Sequence, residues 1–177
     1  MAEVATERTE ATAAKQAIDV PPVFRAVLDA CSTVALEYPL GAREQVLQSA
    51  LEAELQSRHL VVRREVPVPI IHRGIPLGHD ARGREDLVVL HDDLYVILEL
   101  KQGKRLEQKD FAQLYRYMHM RAGETRSVHG LLVLFGDTHT EAWYARHEPG
   151  HIARVRLMHA ELAPVSVVTH DAFDFLA

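Results

Sequence analysis

Arg84-Glu85-Asp86-Leu87-Val88-Val89-Leu90-His91-Asp92-Asp93-Leu94-Tyr95-Val96-Ile97-Leu98-Glu99-Leu100-Lys101 is the stretch whose reading decides the fold. Leu87–Leu90 and Leu94–Leu98 are almost unbroken runs of Val, Ile and Leu, too short for helices, so each predicts a strand covered on both faces. Asp92-Asp93 is the natural turn between them. A two-residue loop there sets Leu90 opposite Tyr95, and counting back along both strands sets Asp86 across from Glu99. Directly opposed residues share a face, with Cβ atoms roughly 4.5–5.5 Å apart. Lys101 points to the same side as Glu99, and Leu100 points away. A slip of one residue would bring Glu85 opposite Glu99 instead, because Asp-Asp specifies a turn less strongly than Asn-Gly.

Two carboxylates beside an apolar core repel each other and resist ionising unless a cation lies between them. Oxygen donors with no neighbouring Cys or paired His favour a hard ion, Mg²⁺ or Mn²⁺, which keeps several waters and can activate one as a nucleophile. Lys101 could hold that water or neutralise a phosphorane-like transition state. The competing reading is a surface charge cluster at a solvated sheet end. Three such residues on one face of strands this apolar favour a functional site.

Asp86 followed by Glu99-Leu100-Lys101 on the next apolar strand resembles the D…(D/E)-x-K core of the PD-(D/E)XK nuclease superfamily. Within it the chain resembles the GxxExxY family. Gly41-Ala42-Arg43-Glu44 opens a helix, Arg64-Glu65-Val66-Pro67-Val68-Pro69-Ile70 follows, and Gly130-Leu131-Leu132-Val133-Leu134-Phe135-Gly136 comes later in the expected order. The resemblance spans about residues 40–136 and implies an α/β fold, a mixed central sheet flanked by helices. It implies Mg²⁺-dependent (or Mn²⁺-dependent) hydrolysis of phosphodiester bonds, with nucleic acid, DNA first, as substrate. Asp86, Glu99 and the Leu100 backbone carbonyl would ligate the metal, Glu44 would complete or orient that shell, and Lys101 would position the water. Gln113 and Tyr117 match a Gln-x-x-x-Tyr pair found on the helix after the catalytic strand, where it supports the site or touches the nucleic-acid backbone. Leu47 stands where the family motif has Tyr, so any polar role of that residue is missing.

A chain of 177 residues with 47% hydrophobic content suits one globular domain, expected over 20–177. Residues 1–19 are rich in Ala, Thr and Glu and poor in large apolar side chains, which predicts a disordered or frayed tail. No apolar run approaches the roughly 20 residues that span a bilayer, and no signal-peptide core precedes the domain. The expectation is an intracellular, soluble protein without membrane contact. The single Cys31 excludes an internal disulfide and reads as a buried thiol among Val27, Leu28 and Val34. Net charge is −5, but residues 1–57 carry 4 basic and 9 acidic side chains, residues 58–126 carry 13 and 10, and residues 127–177 carry 3 and 6. The segment bearing the candidate site is the basic one, as a polyanionic substrate would require, although solvated loop ends give the same count.

Along the chain, Phe24, Val27, Leu28, Cys31, Val34 and Ala35 recur at helical spacing after Val20-Pro21-Pro22 and predict a helix ending before Pro39. A second helix is expected over about 42–58, with Leu47, Leu51 and Leu55 inward. Glu44 lies on that side near its start, where it can face the site or simply complement the helix dipole. Residues 60–71 predict a strand with its prolines at an edge, where Glu65 either approaches the site or, the reading preferred, serves Arg63 or Arg64 as a solvated partner. His72-Arg73-Gly74 reads as a turn, and the sheet begins as a meander. A basic loop, Gln102-Gly103-Lys104-Arg105, precedes a helix over 107–122 that packs Phe111, Leu114, Tyr115 and Met118. Lys104, Arg105, Lys109, Arg116 and Arg121 are candidate phosphate contacts, or else solvated charges. Strands are expected over 131–135, 141–147, 153–159 and 165–168, and a short helix over 171–176. His147 and His151 are separated by Pro149-Gly150, which breaks any helix and argues against zinc. No internal repeat, Walker loop or nucleophile elbow is present.

The rival class is a non-catalytic binding or assembly module on the same fold, its acidic termini meeting a protein partner or a second copy. The complete set of Asp86, Glu99 and Lys101 favours the enzyme, because charges near a core are costly to keep idle.

Overall fold

The structure is a computed structural model that describes residues 19–38, 42–68, 71–73, 75–76, 83–121, 126–136, 140–148, 151–158 and 164–171. Among the described residues three helices, α1 (Val23–Glu37), α2 (Glu44–Ser57) and α3 (Gln108–Arg121), accompany nine strands. These are β1 (Val61–Val68), β2 (Ile71–His72), β3 (Ile75–Pro76), β4 (Gly83–His91), β5 (Leu94–Gly103), β6 (Ser127–Gly136), β7 (Thr140–Glu148), β8 (His151–Met158) and β9 (Pro164–Asp171). β2 and β3 form a separate two-stranded pair, and the other seven form one sheet in chain order. The fold is α/β, a mixed sheet flanked by helices, as the sequence led us to expect.

Every neighbouring pair in the large sheet is antiparallel except β5 and β6, which run parallel over their whole length, from Leu94↔Ser127 to Gly103↔Gly136. A parallel pair needs a crossover, and α3 provides it. β5 and β6 are therefore central and covered on both sides, which explains their unbroken apolar sequences. On one face lies a core built from Phe24, Val27 and Val34 of α1, Leu47, Leu51 and Leu55 of α2, and Leu87, Val89, Leu98, Leu100, Leu131 and Val133 of the sheet. On the other face α3 packs Leu114, Tyr115, Tyr117 and Met118 against Val88, Ile97, Val128 and Leu132.

Local features explain how closely the helices dock. α3 lies directly over Gly130: a Cβ there would stand 2.7 Å from Met118 Sδ and 2.9 Å from Leu114 Cδ1. α1 anchors through Phe24, whose ring meets that of Tyr144 on β7 edge-on at a centroid distance of 4.7 Å. Tyr144 shares a 2.8 Å hydrogen bond with His129 Nδ1, and His129 Nε2 lies 2.9 Å from Ser127 Oγ. Both histidine nitrogens are thus satisfied inside the sheet. This lets β6 begin at Ser127, four residues upstream of the apolar run that marks it in the sequence. Cys31 is buried, and burial pushes its thiol up to about 12, consistent with an inert core residue.

Helix boundaries fall within two residues of the sequence reading, and β6 to β9 appear where strands were expected, each somewhat longer. Asp171 ends β9 rather than starting a helix; the rest of that expected helix and the expected tail, apart from Asp19, lie outside the described residues. No helix among the described residues is long and apolar enough to cross a membrane.

Phe24 is fully buried, and removing its ring opens a cavity between α1 and β7. Phe24→Ala is expected to lower unfolding free energy by about 3–5 kcal/mol in urea denaturation, and Phe24→Leu by much less; equal losses would contradict this packing.

Candidate active site

β4 and β5 pair in the register that a two-residue Asp92-Asp93 turn requires, with Leu90↔Tyr95 and Leu87↔Leu98. The regular pairing then stops. Beyond it the Leu100 amide donates to Asp86 Oδ2 at 2.8 Å, so a carboxylate takes the place of a ladder carbonyl. In an extended strand a residue's N–H and C=O point to the same neighbour, so the Leu100 carbonyl is also directed towards β4, beside Asp86.

The reason lies in a roll of the sheet edge. β1 pairs Arg64↔Leu87 and Val66↔Glu85, and between them Glu65 has φ 52°, in the left-handed region. Such a conformation costs a non-glycine residue about 1–2 kcal/mol. Val62 packs with the α1/α2 core, whereas Val66 and Val68 pack with the α3 core. β4 rolls with it: Leu87 belongs to the α1/α2 core, but Glu85 reaches Tyr95 on the α3 side. Asp86 sits in the roll.

Glu99 is fully buried. Its Oε2 accepts a 2.7 Å hydrogen bond from Gln113 Nε2, and Lys101 Nζ lies 3.6 Å from the same oxygen. Lys101 Nζ also donates to Gln113 Oε1 at 3.4 Å. Gln113 therefore bridges the acid and the base, one end of its amide to each. Glu99 Oε1 is buried with no hydrogen-bond partner among the described residues. Tyr117 is buried too, its ring laid against Gly83, where a Cβ would stand 2.6 Å from Tyr117 Cε1. Burial, and then the charge of Glu99, raise the Tyr117 hydroxyl's pKa.

Burial also raises both carboxylates. Asp86 is pushed up to about 6, although the Leu100 amide and Lys101 pull it down, and the charges of Glu44 and Glu65 add to the rise. Glu99 is pushed up to about 8 by burial and then by Asp86; the 3.6 Å ammonium contact does not offset this. Near neutral pH, then, the pair resists holding two negative charges. A cation would reverse that preference, and the donors present fit one: two carboxylates, that of Glu99 with Oε1 uncommitted among the described residues, and the Leu100 carbonyl form an oxygen-only set suited to a hard ion that retains waters. Among the described residues no group of three or more His, Cys, Asp or Glu side chains is arranged to hold a metal. The protein's contribution would thus rest chiefly on two carboxylates. Glu44 opens α2 with its side chain exposed, and it enters the site through its charge on Asp86.

The remaining residues singled out in the sequence fall into two groups. Lys104 and Arg105 are exposed in the loop after β5, and Arg116 is exposed with its guanidinium 5.8 Å from the Tyr117 ring centre. Lys109 is exposed and pairs with Glu107 at 2.7 Å. Arg121 departs from expectation. It is neither solvated nor free for phosphate, because it is bound to the buried Glu85 at 3.1 Å and stacked 5.2 Å from the Tyr95 ring centre. Glu65 likewise pairs across the strands with Arg84 at 3.4 Å, while Arg64 turns to Ser49 and Glu52 on α2. The Glu85–Tyr95–Arg121 group was not read from the sequence, in which 36 residues separate its acid from its base. Gln113, singled out only through the resemblance, is brought to Glu99 by α3.

Among known families, a model described as the PD-(D/E)XK nuclease superfamily matches residues 22–146, from the start of α1 into β7. No curated protein matches the chain. Enzymes of that superfamily are usually hydrolytic nucleases and generally use divalent metal ions.

The raised carboxylates set a pH dependence. Glu99 has a folded-state pKa near 8 against an ordinary 4.5, so between these values the folded chain holds a proton the unfolded chain gives up, and stability falls as pH rises through that window. His129 acts oppositely, pulled down to about 4 by burial, so its contribution is lost as pH falls from about 6.5. In chelator, the denaturation midpoint of the wild type is expected to fall relative to that of Glu99→Gln between pH 5 and 8; parallel profiles would contradict a buried, proton-holding Glu99.

Proposed function

Because the chain belongs to the PD-(D/E)XK nuclease superfamily, we propose that it is a divalent-metal-dependent nuclease of the GxxExxY type that hydrolyses phosphodiester bonds in DNA. The observation that carries this reading is the buried Glu99 Oε1, which has no hydrogen-bond partner among the described residues, beside a second carboxylate that also resists ionising. Leaving such an acceptor unsatisfied costs about 1–3 kcal/mol, a cost a cation-binding role accounts for and an idle assembly module does not.

In this reading Asp86, Glu99 and the Leu100 carbonyl would hold Mg²⁺ or Mn²⁺, with Glu44, at the helix start, completing or orienting that shell. A bound ion of this kind lowers the pKa of a coordinated water and offsets charge developing on the phosphate. The Leu100 amide fixes one Asp86 oxygen, so the carboxylate cannot swing away when deprotonated. Gln113 does the same for Glu99 Oε2 and leaves Oε1 uncommitted. Lys101 is held by Gln113 with hydrogen-bonding capacity to spare, since an ammonium has three donors. It orients the attacking water and stabilises negative charge as the water oxygen, giving up a proton to solvent, bonds to phosphorus and the ester P–O bond breaks, the leaving oxygen taking up a proton from solvent. Tyr117 fixes Gln113 from behind, and Lys104 and Arg105 meet backbone phosphates at the end of β5.

Lys101→Ala and Asp86→Ala are each expected to lower Mn²⁺-dependent cleavage by about 10²–10³-fold while the purified variants keep a cooperative thermal transition. The assay uses single- and double-stranded DNA with RNA as comparator. Cleavage at the wild-type rate by either variant would overturn the assignment, and cleavage of RNA alone would overturn its substrate.

A further inference from the structure

Beside the site lies a second buried charge cluster that the mechanism above does not use. Glu85 is fully buried, one residue from Asp86. Arg121, at the end of α3, donates to Glu85 through Nε and a terminal nitrogen, each at 3.1 Å, and to the Pro67 carbonyl at 3.2 Å. Tyr95 donates to Glu85 Oε2 at 2.8 Å, and the Arg121 guanidinium stacks on its ring. One side chain thus ties α3 to β1, β4 and β5.

The location of this knot gives it a role. Residues two apart in a regular strand share a face, yet Leu87 enters the α1/α2 core and Glu85 lies on the α3 side. The backbone must turn over between them, at Asp86. β1 supplies the matching distortion at Glu65, whose left-handed backbone falls between the pairs Arg64↔Leu87 and Val66↔Glu85. A roll that requires a left-handed glutamate does not persist without something holding its far side. The Arg121 fork is that hold: it grips Glu85 just before the roll and the Pro67 carbonyl on the strand opposite.

We propose that Glu85 and Arg121 are a positioning pair, which keeps β4 rolled so that the Asp86 carboxylate meets the Leu100 amide and faces the metal site. The pair touches no substrate. Its link to metal rests on the reading of Asp86 as a ligand, but its effect on the Asp86–Leu100 hydrogen bond does not. The two can therefore fail separately.

The test is amide hydrogen exchange at Leu100, with Leu98 as reference on the same strand, in metal-free wild type, Arg121→Ala and Tyr95→Phe. Loss of a supporting residue of this kind typically weakens a site 10–100-fold, so Arg121→Ala is expected to speed Leu100 exchange by about tenfold relative to Leu98 and to weaken Mn²⁺ binding about as much. Tyr95→Phe, which removes one bond from Glu85, should shift both in the same direction by less, and it carries the test if Arg121→Ala does not fold. A general loss of stability moves Leu98 and Leu100 together. An unchanged Leu100-to-Leu98 ratio in the folded variants would overturn the proposal. Absence of Mn²⁺ binding in the wild type would overturn the metal reading instead, with the exchange ratio still deciding the pair.

Discussion

Two carboxylates withdrawn from water on adjacent strands, each oriented by one hydrogen bond, are the constraint around which the structure is arranged. Asp86 is held by the Leu100 amide and Glu99 by Gln113. Burial raises both pKa values, so the site stores a preference for positive charge that the described residues meet only in part. Lys101 meets part of it, at 3.6 Å from one oxygen. The uncommitted Glu99 Oε1 marks where the remainder would be met.

The sheet provides this arrangement through its one parallel pair. β5 is central, joined to β4 by a tight turn and to β6 through α3, so Glu99 and Lys101 emerge where the crossover helix passes over their face. The helix then delivers Gln113 and, one turn on, Tyr117. The α1/α2 layer on the opposite face places Glu44, exposed, at a helix start, where its charge is felt by Asp86. Stability and site share a backbone: Leu98 and Leu100 alternate with Glu99 and Lys101, the former in the core and the latter in the site.

Much of this was legible in the sequence because the determining signals are local. The β4–β5 register follows from two apolar runs and a two-residue turn, in which Asp92 has the positive φ, 50°, that such turns require. The helices follow from apolar spacing; Gln113 and Tyr117 were singled out only through the resemblance, because an i, i+4 Gln/Tyr pair is by itself ordinary helix surface. What was not legible depends on distant partners. The turn register selects Asp86 over Glu85, but that Glu85 is bound by Arg121, 36 residues on, depends on a partner far along the chain. The left-handed Glu65 carries no signal, since glutamate ordinarily avoids that conformation. The first four residues of β6 were hidden by His129, whose polarity argues against a central strand until Ser127 and Tyr144 are seen to satisfy it.

Direct calorimetric titration of Mn²⁺ into the wild type and Glu99→Gln, at pH 6 and pH 8, tests the central claim most directly. A cation that displaces protons from Asp86 and Glu99 must bind more tightly at the higher pH and release protons at the lower, with an affinity at least about tenfold weaker in the variant. Wild-type binding that is absent, or that is equal in the two proteins, would mean that the two carboxylates do not form a metal site.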